Sequence, residues 1–216
     1  MIQVKRFQGG PLGTNGYLLY NEGKKGLYID PGAPSPKIKE WIEGMGIYLQ
    51  GILLTHAHFD HIGGLDWMRE WSKAPVYQHV LEAEWLSRPE LNGSGYPMFS
   101  DWVPPIRLHP ADVLIDREGD WIIGDFALRV LHTPGHSPGS LTFLAEDKAF
   151  CGDVLFRLGI GRTDFPGGDY ATLMHSIQDK LMALPGNTLL YPGHGESTRV
   201  EREQEENPYL TGFMGV

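Results

Sequence analysis

The chain has 216 residues, 41% of them hydrophobic and 21% charged, the balance of an ordinary globular protein with one domain or at most two small ones. Its 18 basic and 27 acidic residues leave a formal net charge of -9, which argues against a phosphate-tracking surface and so against nucleic acid as a partner. The single cysteine, Cys151, excludes an intrachain disulfide, no stretch approaches the roughly 20 apolar residues that span a bilayer, and the N-terminal segment lacks a signal-peptide pattern; the expected compartment is the cytoplasm, with no membrane partner.

In chain order, "NGYLLYN" and "KGLYID" read as short strands bounded by Gly or Asn. "PKIKEWIEGMG" has Ile38, Trp41, Ile42 and Met45 at helical spacing. "GILLT" reads as a buried strand, "GGLDWMREWSK" as a helix through Leu65, Met68 and Trp71, and "APVYQH" as a strand. Residues 87–112 carry several prolines and no period, as in a long loop with one helical turn, and loops of that length are often functional. Strands return with "DWIIGD", "FALRVLHT", "GSLTFLAE" and "KAFCGDVLF". "YATLMHSIQDKLMAL" is expected to be a helix with Leu173, Ile177, Leu181 and Leu184 on one stripe. "NTLLYP" reads as a strand and "STRVEREQEEN" as an acidic last helix. Strands and helices alternate in both halves, so the expected class is α/β.

The segment "LLTHAHFDHIGG" places His56, His58, Asp60 and His61 within six positions, directly after an apolar run. Such a cluster, if buried, has to be paired or bound to metal. Three further residues share its setting: His136 in "HTPGHSPGS", Asp153 in "CGDVLF" and His194 in "YPGHGES", each at or just past a strand end beside Gly or Pro. Neutral imidazole and carboxylate are ligands for zinc, iron or manganese, and the lack of thiolates argues against a closed structural site. In extended chain His56 and His58 point the same way, and a helix starting near residue 60 would turn Asp60 and His61 elsewhere, so one loop could serve two ions. A carboxylate such as Asp153 could bridge ions about 3.5–4 Å apart, as in two-metal hydrolases. His79, His109, His132 and His175 stand alone and read as structural or merely exposed.

"THAHFDH", followed in order by "PGHSPGS", "GDVLF" and "PGHG", resembles the HxHxDH signature and remaining metal motifs of the metallo-β-lactamase superfamily. "GDVLFRLGIGRTDFPGGD" and "NPYLTG" are similar to its small glyoxalase II-like branch of hydroxyacylglutathione hydrolases and metal-dependent hydrolases. The resemblance implies a single-domain, four-layer αββα sandwich over residues 1–216. It implies His56, His58 and His136 on one divalent transition-metal ion, Asp60, His61 and His194 on a second, and Asp153 bridging them. Zinc is the first expectation, with iron or manganese as alternatives. Asp30 in "YIDPG" matches a family aspartate expected to orient a ligand histidine, the competing reading being a turn cap. Cys151 is expected to be a small buried hydrophobe rather than a nucleophile.

The implied chemistry is attack of a metal-bridging hydroxide on a thioester carbonyl, with Asp60 helping to orient the water. Glutathione recognition is the weaker part. Only 22 residues follow His194, they include the acidic "VEREQEEN", and no separate C-terminal glutathione-binding helical domain is expected. A family glutathione-contacting lysine falls at Arg162, while two contact tyrosines fall at Asp164 and Glu196. Arg162 thus reads either as a substrate contact or as a structural arginine paired with Asp164 or Asp169. A rival of the same fold, the persulfide dioxygenases, uses one iron on residues of the His56, His136 and Asp153 type. Phosphodiesterase, nuclease and lactonase branches rank lower.

Overall fold

The computed structural model describes residues 1–212 and divides into two compact units, residues 1–116 with 122–126, and residues 117–121 with the chain from 127 onward. Each is built on a six-stranded mixed sheet. No helix among the described residues is long and apolar enough to cross a membrane.

The first unit carries strands β1 (Gln3–Gly9), β2 (Thr14–Tyr20), β3 (Lys25–Ile29), β4 (Tyr48–Leu53), β5 (Val76–His79) and β6 (Val113–Ile115), adjacent in that order. β1, β2 and β3 pair antiparallel, whereas β3 through β6 run parallel. Parallel neighbours need crossovers. Helix α1 (Pro36–Gly44) links β3 to β4, and α2 (Phe59–Ile62) and α3 (Leu65–Ser72) link β4 to β5. Near-continuous apolar runs in β2 and β3 are buried, as expected of strands covered on both faces. Ile38 and Ile42 of α1 and Leu65 and Met68 of α3 pack with Ile52, Leu54 and Val76 in the core. Met45, expected on the α1 stripe, is exposed because the helix ends at Gly44.

The long segment before β6 holds more local structure than one helical turn. It contains α4 (Pro89–Asn92) and 3₁₀ turns at Trp85–Ser87 and Pro97–Phe99. Buried Asn92 organises it: its amide donates to the carbonyls of Trp85 (2.9 Å) and Ile106 (3.1 Å), and its carbonyl accepts from the Ser94 amide and hydroxyl. The irregular chain thereby satisfies its backbone without a regular period.

The second sheet has strands β7 (Gly119–Ile123), β8 (Phe126–His132), β9 (Leu141–Ala145), β10 (Lys148–Gly152), β13 (Leu189–Pro192) and β14 (Thr198–Arg199), in spatial order β14-β13-β10-β9-β8-β7. β11 (Leu155–Phe156) and β12 (Gly159–Ile160) form a separate short hairpin. The expected helix from residue 170 is α5 (Tyr170–His175) running into a π-helical turn, Ser176–Leu181. The expected last helix begins later, as α6 (Val200–Glu206), because Thr198 and Arg199 pair with β13 instead. Leu173, Ile177, Leu181, Leu190 and Val200 pack with Ala149 and Cys151 as this unit's core.

Candidate metal centre

Each sheet places expected ligands at one edge through its parallel pairs. In the first unit Ile29 of β3 lies beside Leu53 of β4, so Asp30 and the segment from Thr55 to His61 leave the sheet together. In the second, Gly152 of β10 lies beside Pro192 of β13, so Asp153 and His194 do the same. Strand carboxyl ends are where open α/β sheets present ligand-binding groups.

In the first unit His56, His58, Asp60 and His61 are all buried. The His56 ring lies 4.7 Å from that of His58 and 4.1 Å from that of His61, and ligand atoms of His56 and His58, of His56 and His61, and of Asp60 and His61 come within 4.8 Å of each other. α2 begins at Phe59, which is why Asp60 and His61 turn away from the extended strand direction of His56 and His58. The Thr14 hydroxyl donates to Asp60 Oδ2 at 2.7 Å.

Asp30 is the hub behind these groups. Its Oδ1 accepts the Thr55 amide at 2.8 Å, and its Oδ2 accepts the Thr55 hydroxyl at 2.6 Å and His61 Nδ1 at 2.9 Å. A carboxylate only accepts, so His61 Nδ1 carries a hydrogen. The Thr55 hydroxyl has one hydrogen, given to Asp30, so at 3.1 Å it accepts from His56 Nδ1. Both rings therefore present Nε2 as the atom able to ligate. Asp30 itself sits at φ 52°, a left-handed conformation that Asp tolerates better than most residues. Its carboxylate thus hydrogen-bonds both a histidine ring and the loop that carries the cluster. Buried Glu82 braces the same loop by accepting the Ala57 amide at 2.7 Å.

The second unit repeats the device. His136 Nδ1 donates to the Arg162 carbonyl at 2.8 Å, again leaving Nε2 for ligation. Asp153 Oδ2 lies 3.8 Å from His136 Nε2 and 3.4 Å from His194 Nε2, a carboxylate standing between two imidazoles. Gly161 permits this crowding: a Cβ there would come 1.8 Å from the Asp153 carbonyl and 3.3 Å from His136 Nδ1. Imidazole nitrogens and carboxylate oxygens suit zinc, iron or manganese, and metal-binding histidines characteristically give their other N–H to a carboxylate or carbonyl, as here. In each unit the residues fit a transition-metal site.

The histidines expected to be structural have such settings. His79 Nδ1 accepts the Leu81 amide at 3.2 Å, His109 pairs with Asp66 at 2.8 Å, His132 Nε2 donates to the Pro138 carbonyl at 2.8 Å, and exposed His175 lies 3.6 Å from Asp179. Cys151 is fully buried, and burial pushes its thiol up to about 12, which removes it as a nucleophile. Arg162 forms a bidentate pair with Asp164 (2.7 and 2.6 Å) and lies 3.8 Å over the Phe165 ring. Its hydrogen bond holds the Asp164 carboxyl down at about 2. Asp169 is not its partner but the N-cap of α5, accepting the Thr172 amide at 2.7 Å. Thr14, Thr55 and Glu82 are the supporting residues that sequence reasoning missed. Thr55 adjoins the histidine motif, whereas Thr14 and Glu82 lie 46 and 25 positions from the residues they hold and carry no local signal.

The metallo-beta-lactamase superfamily matches residues 9–194, across both units. The probable metallo-hydrolase YqgX of Bacillus subtilis (strain 168) is 46% identical over 214 residues, covering 98% of this chain and 99% of that protein. Hydroxyacylglutathione hydrolase GloC of Haemophilus influenzae is 35% identical over 216 residues, covering 97% and 96%. Among solved structures, the BLEG-1 B3 metallo-beta-lactamase superposes with a TM-score of 0.93 at 43% identity, covering 97% of this chain and all of the other. TTHA1623 in a di-iron-bound form gives 0.82 at 36% identity, covering 95% and 100%. With its histidines and aspartates standing at the strand ends described above, this chain belongs to the metallo-beta-lactamase superfamily and is one of its metallo-hydrolases.

Proposed function

We propose that the chain is a dinuclear hydrolase of small acyl thioesters, with His56, His58 and His136 for one ion, Asp60, His61 and His194 for the other, and Asp153 for both. Bound there, the ions would supply Lewis acidity towards water and a substrate carbonyl. The observation that carries this reading is that the second set is braced as fully as the first: Asp30 holds His61, and Thr14 holds Asp60. A single-iron dioxygenase using His56, His136 and Asp153 would employ Asp30 only through Thr55 and His56, and would leave the bonds to His61 and Asp60 without work. Zinc is the first expectation for the metals, and the di-iron form of TTHA1623 keeps iron in the comparison.

The chain's own groups divide the labour. Thr14 donates to Asp60 Oδ2 and so fixes the carboxylate, which would hold its ion and orient water once metal is bound. Cys151 is buried and supplies no nucleophile. A thioester suits a site with no dedicated general acid, because a thiolate leaves without protonation. GloC, a hydroxyacylglutathione hydrolase, supports the thioester class. The bidentate Asp164 already occupies Arg162, so glutathione carboxylates gain little from it and the acyl end carries recognition. β-Lactam hydrolysis is the second reading, favoured by the 0.93 TM-score with BLEG-1. The test is one purified sample assayed for metal content, thioester and β-lactam turnover and oxygen uptake. Two metals per chain with thioester turnover is expected. One tightly held iron with oxygen consumption would overturn the proposal.

A further inference from the structure

We infer that Lys180 and Ser176, on and at the start of the π-helical turn, are positioning residues that set the His136 loop for metal. The inference rests on the proposed role of His136 as a ligand. Three carbonyls of the segment leading into His136 are taken up by one stretch of helix. The Asp169 amide donates to the Gly135 carbonyl at 2.8 Å, the Ser176 hydroxyl to Pro134 at 2.6 Å and Lys180 Nζ to His132 at 2.5 Å. Lys180 also pairs with Glu118, whose Oε1 accepts the His132 amide at 2.7 Å, so one ion pair grips both backbone groups of His132. The contact is close enough that a Cβ on Gly135 would stand 2.2 Å from the Leu173 amide nitrogen, and Gly135 adopts φ +127°.

The helical turn is irregular where the grip is made. Met182 donates to Ile177, five residues back, at 2.8 Å. π-Turns are rare and concentrate at functional sites. Leu173, Ile177 and Leu181 are spaced by four throughout, a stripe that drifts about 40° per step at 3.6 residues per turn. A wider turn brings Leu181 back to the core and lets Lys180 reach His132 from the same stretch. From the other side, His136 Nδ1 is fixed by the Arg162 carbonyl and His132 Nε2 by the Pro138 carbonyl. The imidazole is therefore held at its ring and along the backbone before it.

The test is zinc affinity, measured by competition with a chromophoric chelator, together with the absorption spectrum of the cobalt-substituted protein. Lys180→Met should weaken one of the two zinc ions about tenfold, towards the low end of the range for outer partners of ligands, and leave the other unchanged. Ser176→Ala should do the same more mildly, Lys180→Arg should recover most of the loss, and the cobalt spectrum should change at one ion only. Leu181→Ala, a core truncation in the same turn, should lower unfolding stability without this selectivity. Wild-type zinc titration by both Lys180→Met and Ser176→Ala would overturn the inference, as would loss of both ions in proportion to stability. If His136→Ala keeps both ions, the ligand assignment itself fails; if it loses one and Lys180→Met loses none, only the positioning role does.

Discussion

Asp30 Oδ2 accepts His61 Nδ1 at 2.9 Å while the same carboxylate holds both the amide and the hydroxyl of Thr55. One aspartate thus sets the tautomer of His61 directly and of His56 through Thr55. Asp30→Asn keeps a residue that tolerates φ 52° but removes the charge. Metal affinity should fall about 10- to 100-fold, the usual cost of losing such a partner. Chelator competition measures it, and an unchanged affinity would show that the bond is structural only.

Asp153 stands between His136 and His194. In Asp153→Ala the metal content should fall below one ion per chain and thioester turnover should collapse, whereas exposed His175→Ala should leave both at wild-type levels. His132→Ala would be no neutral control, since its ring ties Pro138 into the His136 loop. Elemental analysis of the two variants decides the matter, and equal retention would count against the shared carboxylate.

Arg162 and Asp164 give an acid-range signature. Hydrogen bonding from Arg162 holds the Asp164 carboxyl at about 2, below the ordinary value of about 3.9. A depressed folded-state value contributes stability that is present above about 3.9 and is lost as pH falls towards 2. The pair is exposed, so the contribution is small. Arg162→Met should raise the Asp164 titration towards the ordinary value, read by NMR. Freed of its partner in Asp164→Ala, Arg162 should lower KM for S-lactoylglutathione by up to about fivefold, the scale of a surface ion pair. An unchanged KM would mean that the guanidinium does not face the glutathionyl arm.

Gly161→Ala should destabilise the chain by about 1–3 kcal/mol or more, because its Cβ would overlap the Asp153 carbonyl. Denaturant unfolding of the metal-free protein isolates that packing cost from any loss of ion binding. A midpoint equal to wild type would show that the backbone yields there.

The histidine and aspartate cluster and most strands are legible in the sequence because their signals are local: His and Asp spacing, apolar runs, Gly and Pro punctuation. β1 escapes because its residues are mostly exposed and polar, the look of an edge strand rather than of a core one. The π-turn escapes because Leu173, Ile177 and Leu181 also satisfy a helical stripe, and the difference lies in backbone bonds five residues apart, such as that from Met182 to Ile177. Thr14 acts on a residue 46 positions away and Asp30 on one 31 away, pairings that sheet register sets and no local pattern announces.

The buried thiol of Cys151 gives the molecule a built-in clock. It is the only cysteine, has no exposure in the folded chain, and its Sγ donates to the Leu155 carbonyl at 3.4 Å. An alkylating reagent can reach it only when the surrounding core opens, so labelling speed counts opening events in the unit that carries Asp153. Any ion held by the folded chain alone slows that clock by a factor of one plus the ratio of its free concentration to its Kd. Metal binding can then be read from the pace of alkylation, with no substrate present.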